Sequence, residues 1–294
     1  MKTFRNKKLT GMEFNLTRFG LVLKRDLLTN RRVYINFFLA MFVGYVVMEC
    51  LSLMDYNSAL SVKEGNFHRM VVTDRAEYSA SQLYGMAGLA NVMLFLFLLF
   101  SVAQFAYDLR GKPARINALM LPASRLEKFF GRWLLLVPGA CLIAVAAFAC
   151  ADAARLAVQP VLFEHVLPSL VPAFFQRWNF FLLQLIVQQD GYEIRLLPEA
   201  GRYLLQLFLH ASYLLGGLYF KKRGALMTTF LYFVGIIAFV LLSRRIVGLM
   251  GDEEFWQNIR PGLAYYATLD ALLFALLVGC VWLSWRKFSR MQVL

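Results

Sequence analysis

Charge is in short supply in this sequence: Asp, Glu, Lys and Arg make up 17% of its 294 residues, against about 25% in an ordinary soluble domain. Histidine is scarcer still, and none of His68, His165 and His210 sits in an H-E-x-x-H pair. With no G-x-S-x-G elbow either, the chain lacks the motifs of a zinc metalloprotease and of an α/β-hydrolase. A G-x-x-x-x-G-K-[ST] loop is also missing, which excludes ATP hydrolysis by the P-loop route within this chain. The four cysteines, Cys50, Cys141, Cys150 and Cys280, fall inside apolar runs without paired spacing. They read as small buried hydrophobes rather than as a disulfide framework or a metal site. No catalytic residue, metal site or cofactor is expected from this set, and neither an internal repeat nor a low-complexity tract is visible.

What the chain has instead is apolar length. Hydrophobic residues reach 60% and the mean hydropathy is +0.56. About 20 mostly apolar residues are needed for a helix to cross a hydrocarbon core roughly 30 Å thick. Six stretches meet that requirement: 33–54, 83–106, 133–151, 203–220, 225–243 and 263–285. The alternating pattern of a membrane barrel is absent, so the expected fold class is all-α, a polytopic membrane protein. Its six-span domain would cover 33–285, between an N-terminal segment 1–32 and a tail 286–294. The first apolar run follows a basic leader too long for a signal peptide's n-region, with no A-x-A-like site after it, so no cleavage is expected.

The net charge of +13 is best judged by where the cations lie. Segments 1–32, 107–132, 221–224 and 286–294 hold 21 Lys and Arg residues, whereas 55–82, 155–202 and 244–262 hold 10, offset there by 11 acidic residues. Basic and neutral segments alternate in step with six crossings, which places both termini in the cytoplasm by the positive-inside rule. Topology thus accounts for the charge, and the bilayer with its anionic headgroups is the expected polyanionic contact rather than nucleic acid.

Two polar segments carry helical patterning of their own. Residues 13–28 mix Phe14, Leu16, Phe19, Val22, Leu23 and Leu27 with Arg18, Lys24, Arg25 and Asp26, the pattern of an amphipathic helix lying at the interface. In the loop 107–132, Ser124 and Glu127 have the S-x-x-E spacing of a capping box, with Pro122 just before them. Downstream, Leu126, Phe129, Phe130 and Trp133 share one arc of a helical wheel, and Arg125, Lys128 and Arg132 take the opposite arc. The long segment 155–202 is expected on the outer side, with an interfacial or re-entrant helix over 174–189.

Ionisable residues within spans invite a functional reading. Glu49 and Asp152 lie near the outer ends of their spans, Asp152 one turn from Arg155, where hydration or a local ion pair accounts for them. Asp270 is deeper, and could line a translocation path or hydrogen-bond to Gln206 or His210 on the fourth span. Ala140, Ala144, Ala147 and Ala151 form a small-residue face whose default meaning is close helix packing.

The layout, together with the strings RINALMLPASRLEKFFGRWL (115–134) and SYLLGGLYFKKRGALMTT (212–229), resembles the membrane subunit of bacterial ABC transporters of the ABC-2 type. The resemblance implies a multi-pass permease of the bacterial inner membrane, with export as its direction. It also implies a separate ATP-binding subunit and a homodimer or heterodimer of permeases. The helix Ser124, Arg125, Leu126, Glu127, Lys128, Phe129 and Phe130 would be the ATPase-coupling element, with Arg125 and Lys128 making polar contacts and Glu127 the cap. One departure is that the family's outer re-entrant element lies between spans five and six, whereas here the longest outer segment follows span three. The rival readings are an ion-coupled secondary carrier using Asp270, and a scaffold or assembly protein that transports nothing.

Overall fold

The computed structural model describes residues 14–60, 75–106, 116, 120–163, 165–176, 186–189, 192–195, 199–220, 223–250 and 263–291. The helices are α1 (Leu16–Thr29), α2 (Arg31–Leu60), α3 (Arg75–Ala103), α4 (Arg125–Leu134), α5 (Ala140–Leu162), α6 (Val171–Gln176), α7 (Glu199–Tyr219), α8 (Gly224–Met250) and α9 (Leu263–Met291). A π-helical turn, Leu135–Gly139, joins α4 to α5, and Pro138 lies inside it. Proline lacks the N–H and crowds the carbonyl four residues back, and a widened turn relieves both problems without ending the helix.

Five helical runs among the described residues are long and apolar enough to cross a membrane: Arg31–Ser58, Tyr78–Ala103, Arg125–Leu162, Gly224–Leu242 and Tyr265–Met291. The chain is a multi-pass membrane protein on that ground. The count is five where the sequence pattern led us to expect six. The difference is α7, which covers the expected fourth span but is diluted by Gln206, His210, Ser212 and Gly216–Gly217. The run Arg125–Leu162 has 38 residues, far more than the ~20 a bilayer core needs. Its charged first two turns, Arg125 to Arg132, precede the apolar part in sequence, which begins near Trp133.

The fold is all-α in class, with one short hairpin beside the helices. Strands β1 (Ile186–Gln189) and β2 (Tyr192–Arg195) pair antiparallel, with Gln189 opposite Tyr192 and Ile186 opposite Arg195. The helix expected over 174–189 is thus corrected: 174–176 belong to α6, 186–189 are extended, and 177–185 lie outside the described residues. The sequence between the strands is Asp190–Gly191, the dipeptide that two-residue hairpins favour.

The contacts divide the chain into two compact units. In the unit made of Arg31–Leu98 and Gly139–Gln184, α2 packs on α5. Ala140, Ala144, Ala147 and Ala151 are all fully buried in its core, so the small-residue face is a packing face. Tyr45 meets Phe148 edge-on at 5.2 Å, and Phe148 stacks on Phe174 at 4.4 Å. Asn57 clasps the backbone of His165, its Nδ2 donating to the carbonyl at 3.1 Å and its Oδ1 accepting from the N–H at 3.0 Å.

In the unit made of 1–30, 99–138 and 185–294, α7 packs on α8 and α9. Gly217 and Gly224 allow backbones to touch: a Cβ on Gly217 would overlap the Ala103 carbonyl, and one on Gly224 would lie 2.8 Å from the Gly217 Cα. Phe105, Phe129 and Phe288 form the aromatic centre of this core, with ring centroids 5.1 to 5.7 Å apart. The α8 side chains of Phe230, Leu231, Phe233, Ile236, Leu241 and Leu242 are exposed and apolar, which suits a helix whose solvent is lipid.

Candidate functional site

The helix singled out by the sequence, α4, begins with a complete capping box. Ser124 Oγ accepts the Glu127 N–H at 3.2 Å, and Glu127 Oε2 accepts the Ser124 N–H at 2.8 Å. The same carboxylate reaches across to α1. Its Oε1 accepts the Asn15 N–H at 2.8 Å and Arg18 Nη2–H at 2.7 Å, while Arg18 Nε–H lies 2.9 Å from Oε2. Asn15 is in turn the N-cap of α1, its Oδ1 accepting from the Thr17 and Arg18 N–H groups. One carboxylate thereby ties together the starts of two helices. Arg18, with the two backbone N–H groups beside it, holds the Glu127 carboxyl well below the usual carboxylate range, at about 2. The same contact raises Arg18 above its already high value.

The opposite end of α4 is held as well. Arg132 Nη1–H donates to the Phe105 carbonyl at 3.3 Å, and its Nε lies 3.9 Å from Asp26 of α1. A Cβ added at Gly131 would lie 3.7 Å from Phe19 and Val22, ordinary contact distance. Phe129 is buried against Phe105, Trp285 and Phe288.

The buried and exposed faces of α4 do not follow the apolar and charged arcs of the wheel. Glu127, Lys128, Phe129 and Gly131 are buried, whereas Arg125, Leu126, Phe130 and Trp133 are exposed. Lys128 is only 8% exposed, and burial pushes its ammonium below the ordinary lysine value. Packing on α1 turns Lys128 inward, so of the two cations expected to reach a partner only Arg125 presents itself freely. Asn15 and Arg18, which anchor α4, were not among the residues the sequence pointed to. They lie 112 and 109 positions from Glu127, and no local spacing reveals a bond of that reach.

The residues read as a translocation path lie on α7 and α9, which pack together. Asp270 Oδ1 is buried without a hydrogen-bond partner among the described residues. Gln206 is buried, and its backbone carbonyl lies 2.9 Å from His210 Nδ1.

In the other unit Asp152 and Arg155 do form the local ion pair, at 2.6 Å. Arg155 also binds Gln159 at 2.9 Å and the carbonyls of Leu167 and Pro168 at 3.3 and 2.7 Å. Asp152 accepts from Ser169 Oγ at 2.6 Å and from the Leu170 N–H. The pair fastens the 167–170 segment to the end of α5. Glu49 lies 3.8 Å from Arg155. Among the described residues no group of three or more His, Cys, Asp or Glu is arranged to hold a metal ion. No protein-family model, no curated protein and no solved structure matches this chain.

Proposed function

We propose that this chain is the permease subunit of an ATP-driven ABC transporter of the bacterial inner membrane, energised by a separate ATP-binding subunit that docks on α4. The observation that supports the reading best is the bracing of α4. Its first turn is locked to α1 through Glu127, its last turn to Phe105 and Asp26 through Arg132, and Arg125, Leu126 and Phe130 are left outside. A helix fixed at both ends and running on in sequence into the crossing that follows hands a displacement to that crossing through the Leu135–Gly139 turn. For that push to move the permease, the ATPase must bind its two states unequally.

In this reading α7 is the sixth crossing. Its 21 residues give about 31 Å of helix, enough for a hydrocarbon core. Both termini then lie in the cytoplasm, α1 rests on the inner surface beside α4, and two permeases assemble with two ATPases. Exporter is the direction we assign.

The test is co-purification of an ATP-binding chain with this permease, comparing the wild type with R125E, L126A and F130A combined. These three side chains are exposed, so membrane insertion and thermal stability should stay as in the wild type while the ATPase is lost from the complex. Undiminished ATPase binding would refute the docking assignment.

A further inference from the structure

The polar cluster around Arg155 contains one carboxyl more than its donors serve. A guanidinium has five N–H groups. Nε–H of Arg155 goes to Asp152 Oδ1 at 3.2 Å, those on Nη1 to Gln159 Oε1 and the Leu167 carbonyl, and those on Nη2 to Asp152 Oδ1 and the Pro168 carbonyl. Asp152 and Arg155 therefore make a neutral pair with every guanidinium donor in use. Glu49 stands outside it. Its side chain is 1% exposed, its Oε2 is 3.8 Å from Arg155 Nε, and among the described residues neither of its oxygens has a hydrogen-bond partner. One helical turn back, the fully buried Tyr45 hydroxyl also has none.

An ionised Glu49 would be a second negative charge facing a single cation whose donors are spent. A buried carboxylate in that position neutralises instead. We propose that Glu49 is a proton-binding site, a carboxyl that holds a proton in the resting protein and releases it to leave one negative charge in the cluster. Release is accessible because the Arg155 guanidinium is close enough to stabilise the bare carboxylate without being bonded to it. A metal ion fits the site poorly: hard cations take six or more oxygen ligands, and Glu49 with Tyr45 offers three.

The charged groups acting on Glu49 are Arg155 and Asp152, both from α5. From Tyr78 to Ala103, α3 carries no carboxylate, lysine or arginine, and neither does 165–176. His165 is clasped by Asn57, eight positions further along α2. This inference does not depend on an ATPase partner.

The experiment is infrared spectroscopy of the full-length protein in lipid, with glutamate labelled by carbon-13 at the side-chain carboxyl. At neutral pH the wild type should show a carboxylic-acid C=O stretch that moves with the label. Its intensity should fall about tenfold per pH unit once the pH passes the midpoint of release. The band should vanish in E49Q and persist in D270N. Absence of a protonated glutamate band at neutral pH overturns the proposal, as does its survival in E49Q. Loss of the band on adding sodium at fixed pH also overturns it, because the site would then take a metal cation. The wild-type spectra decide the first and third outcomes even if E49Q does not fold.

Discussion

Replacing Arg155 with leucine removes five hydrogen bonds at once and leaves Asp152 buried, facing Glu49 with no cation. Arg155 is 6% exposed and Asp152 1%, so water cannot take over. Breaking a buried pair by deleting one member costs about 3–5 kcal/mol. Asp152 keeps two donors, the Ser169 hydroxyl and the Leu170 N–H, which places the loss near the lower end, about 3 kcal/mol. At about 2–4 °C per kcal/mol for a chain of this size, the unfolding midpoint in detergent should drop by about 6–12 °C, read by intrinsic tryptophan fluorescence. Removing both charges with R155L and D152L together should recover part of that loss, because an apolar pair of similar volume is often no worse than a buried ion pair. The recovery stays incomplete, since the Leu170 N–H and the Pro168 carbonyl lose their partners, while the Leu167 carbonyl keeps Gln159 Nε2. A shift below about 2 °C for R155L alone would show that the pair is not buried as described. Additive losses in the double variant would show that the two residues do not interact.

Two further outcomes follow from other contacts. G217A places a methyl on the Ala103 carbonyl and should cost about 1–3 kcal/mol as overpacking, whereas G235A, whose new Cβ meets nothing within 4 Å, should be neutral or slightly stabilising in a helix; a thermal melt of each checks the contrast, and equal effects would refute it. The Glu127 carboxyl is held at about 2, below its unfolded value of about 4.3, so its stabilisation is fully present above pH ~4.3 and is lost as the pH falls through about 2. Hydrogen exchange in α1, corrected for the intrinsic rate, should therefore accelerate over that window in the wild type. In E127Q it should be fast throughout with no acid step, and an acid step of undiminished size would assign it to another group.

How much of this was legible beforehand depends on the reach of each interaction. The capping box at Ser124 and Glu127 closes over three residues and the alanine face repeats within one helix, so both stand out in the sequence and in the structure. Asp152 and Arg155 were readable as neighbours for the same reason. Their bonds to 167–170 were not, because nothing in the spacing says that the chain doubles back there. The hairpin at 186–195 had its Asp-Gly signal, but the aromatic run before it dominated the pattern and suggested a longer helix. For α4 the wheel separated apolar from charged residues, but it did not show which members of each arc pack against protein: Phe129 of the one and Lys128 of the other are buried. In a membrane protein an apolar arc can face lipid, and the side turned to the protein is set by what lies against it, here α1 with Arg18 and Asn15 waiting for a carboxylate.

Counting donors separates the carboxyls by role. Glu127 accepts from Arg18 and from the Asn15 and Ser124 N–H groups, and Asp152 from Arg155, Ser169 and Leu170. Both are charges whose bonds are spent on fixing backbone, so their loss should appear as instability. Glu49 makes no hydrogen bond among the described residues, and it lies in the body of a 30-residue apolar helix where an ionisable side chain costs several kcal/mol. A leucine there would be cheaper to bury. What leucine cannot do is change charge, and that is the property to which the placement beside a saturated Arg155 is suited. Asp270 differs in degree: one of its oxygens is without a partner among the described residues, but its side chain is only partly buried. If a charge change accompanies the working cycle of this protein, Glu49 is the residue at which it has a structural reason to occur.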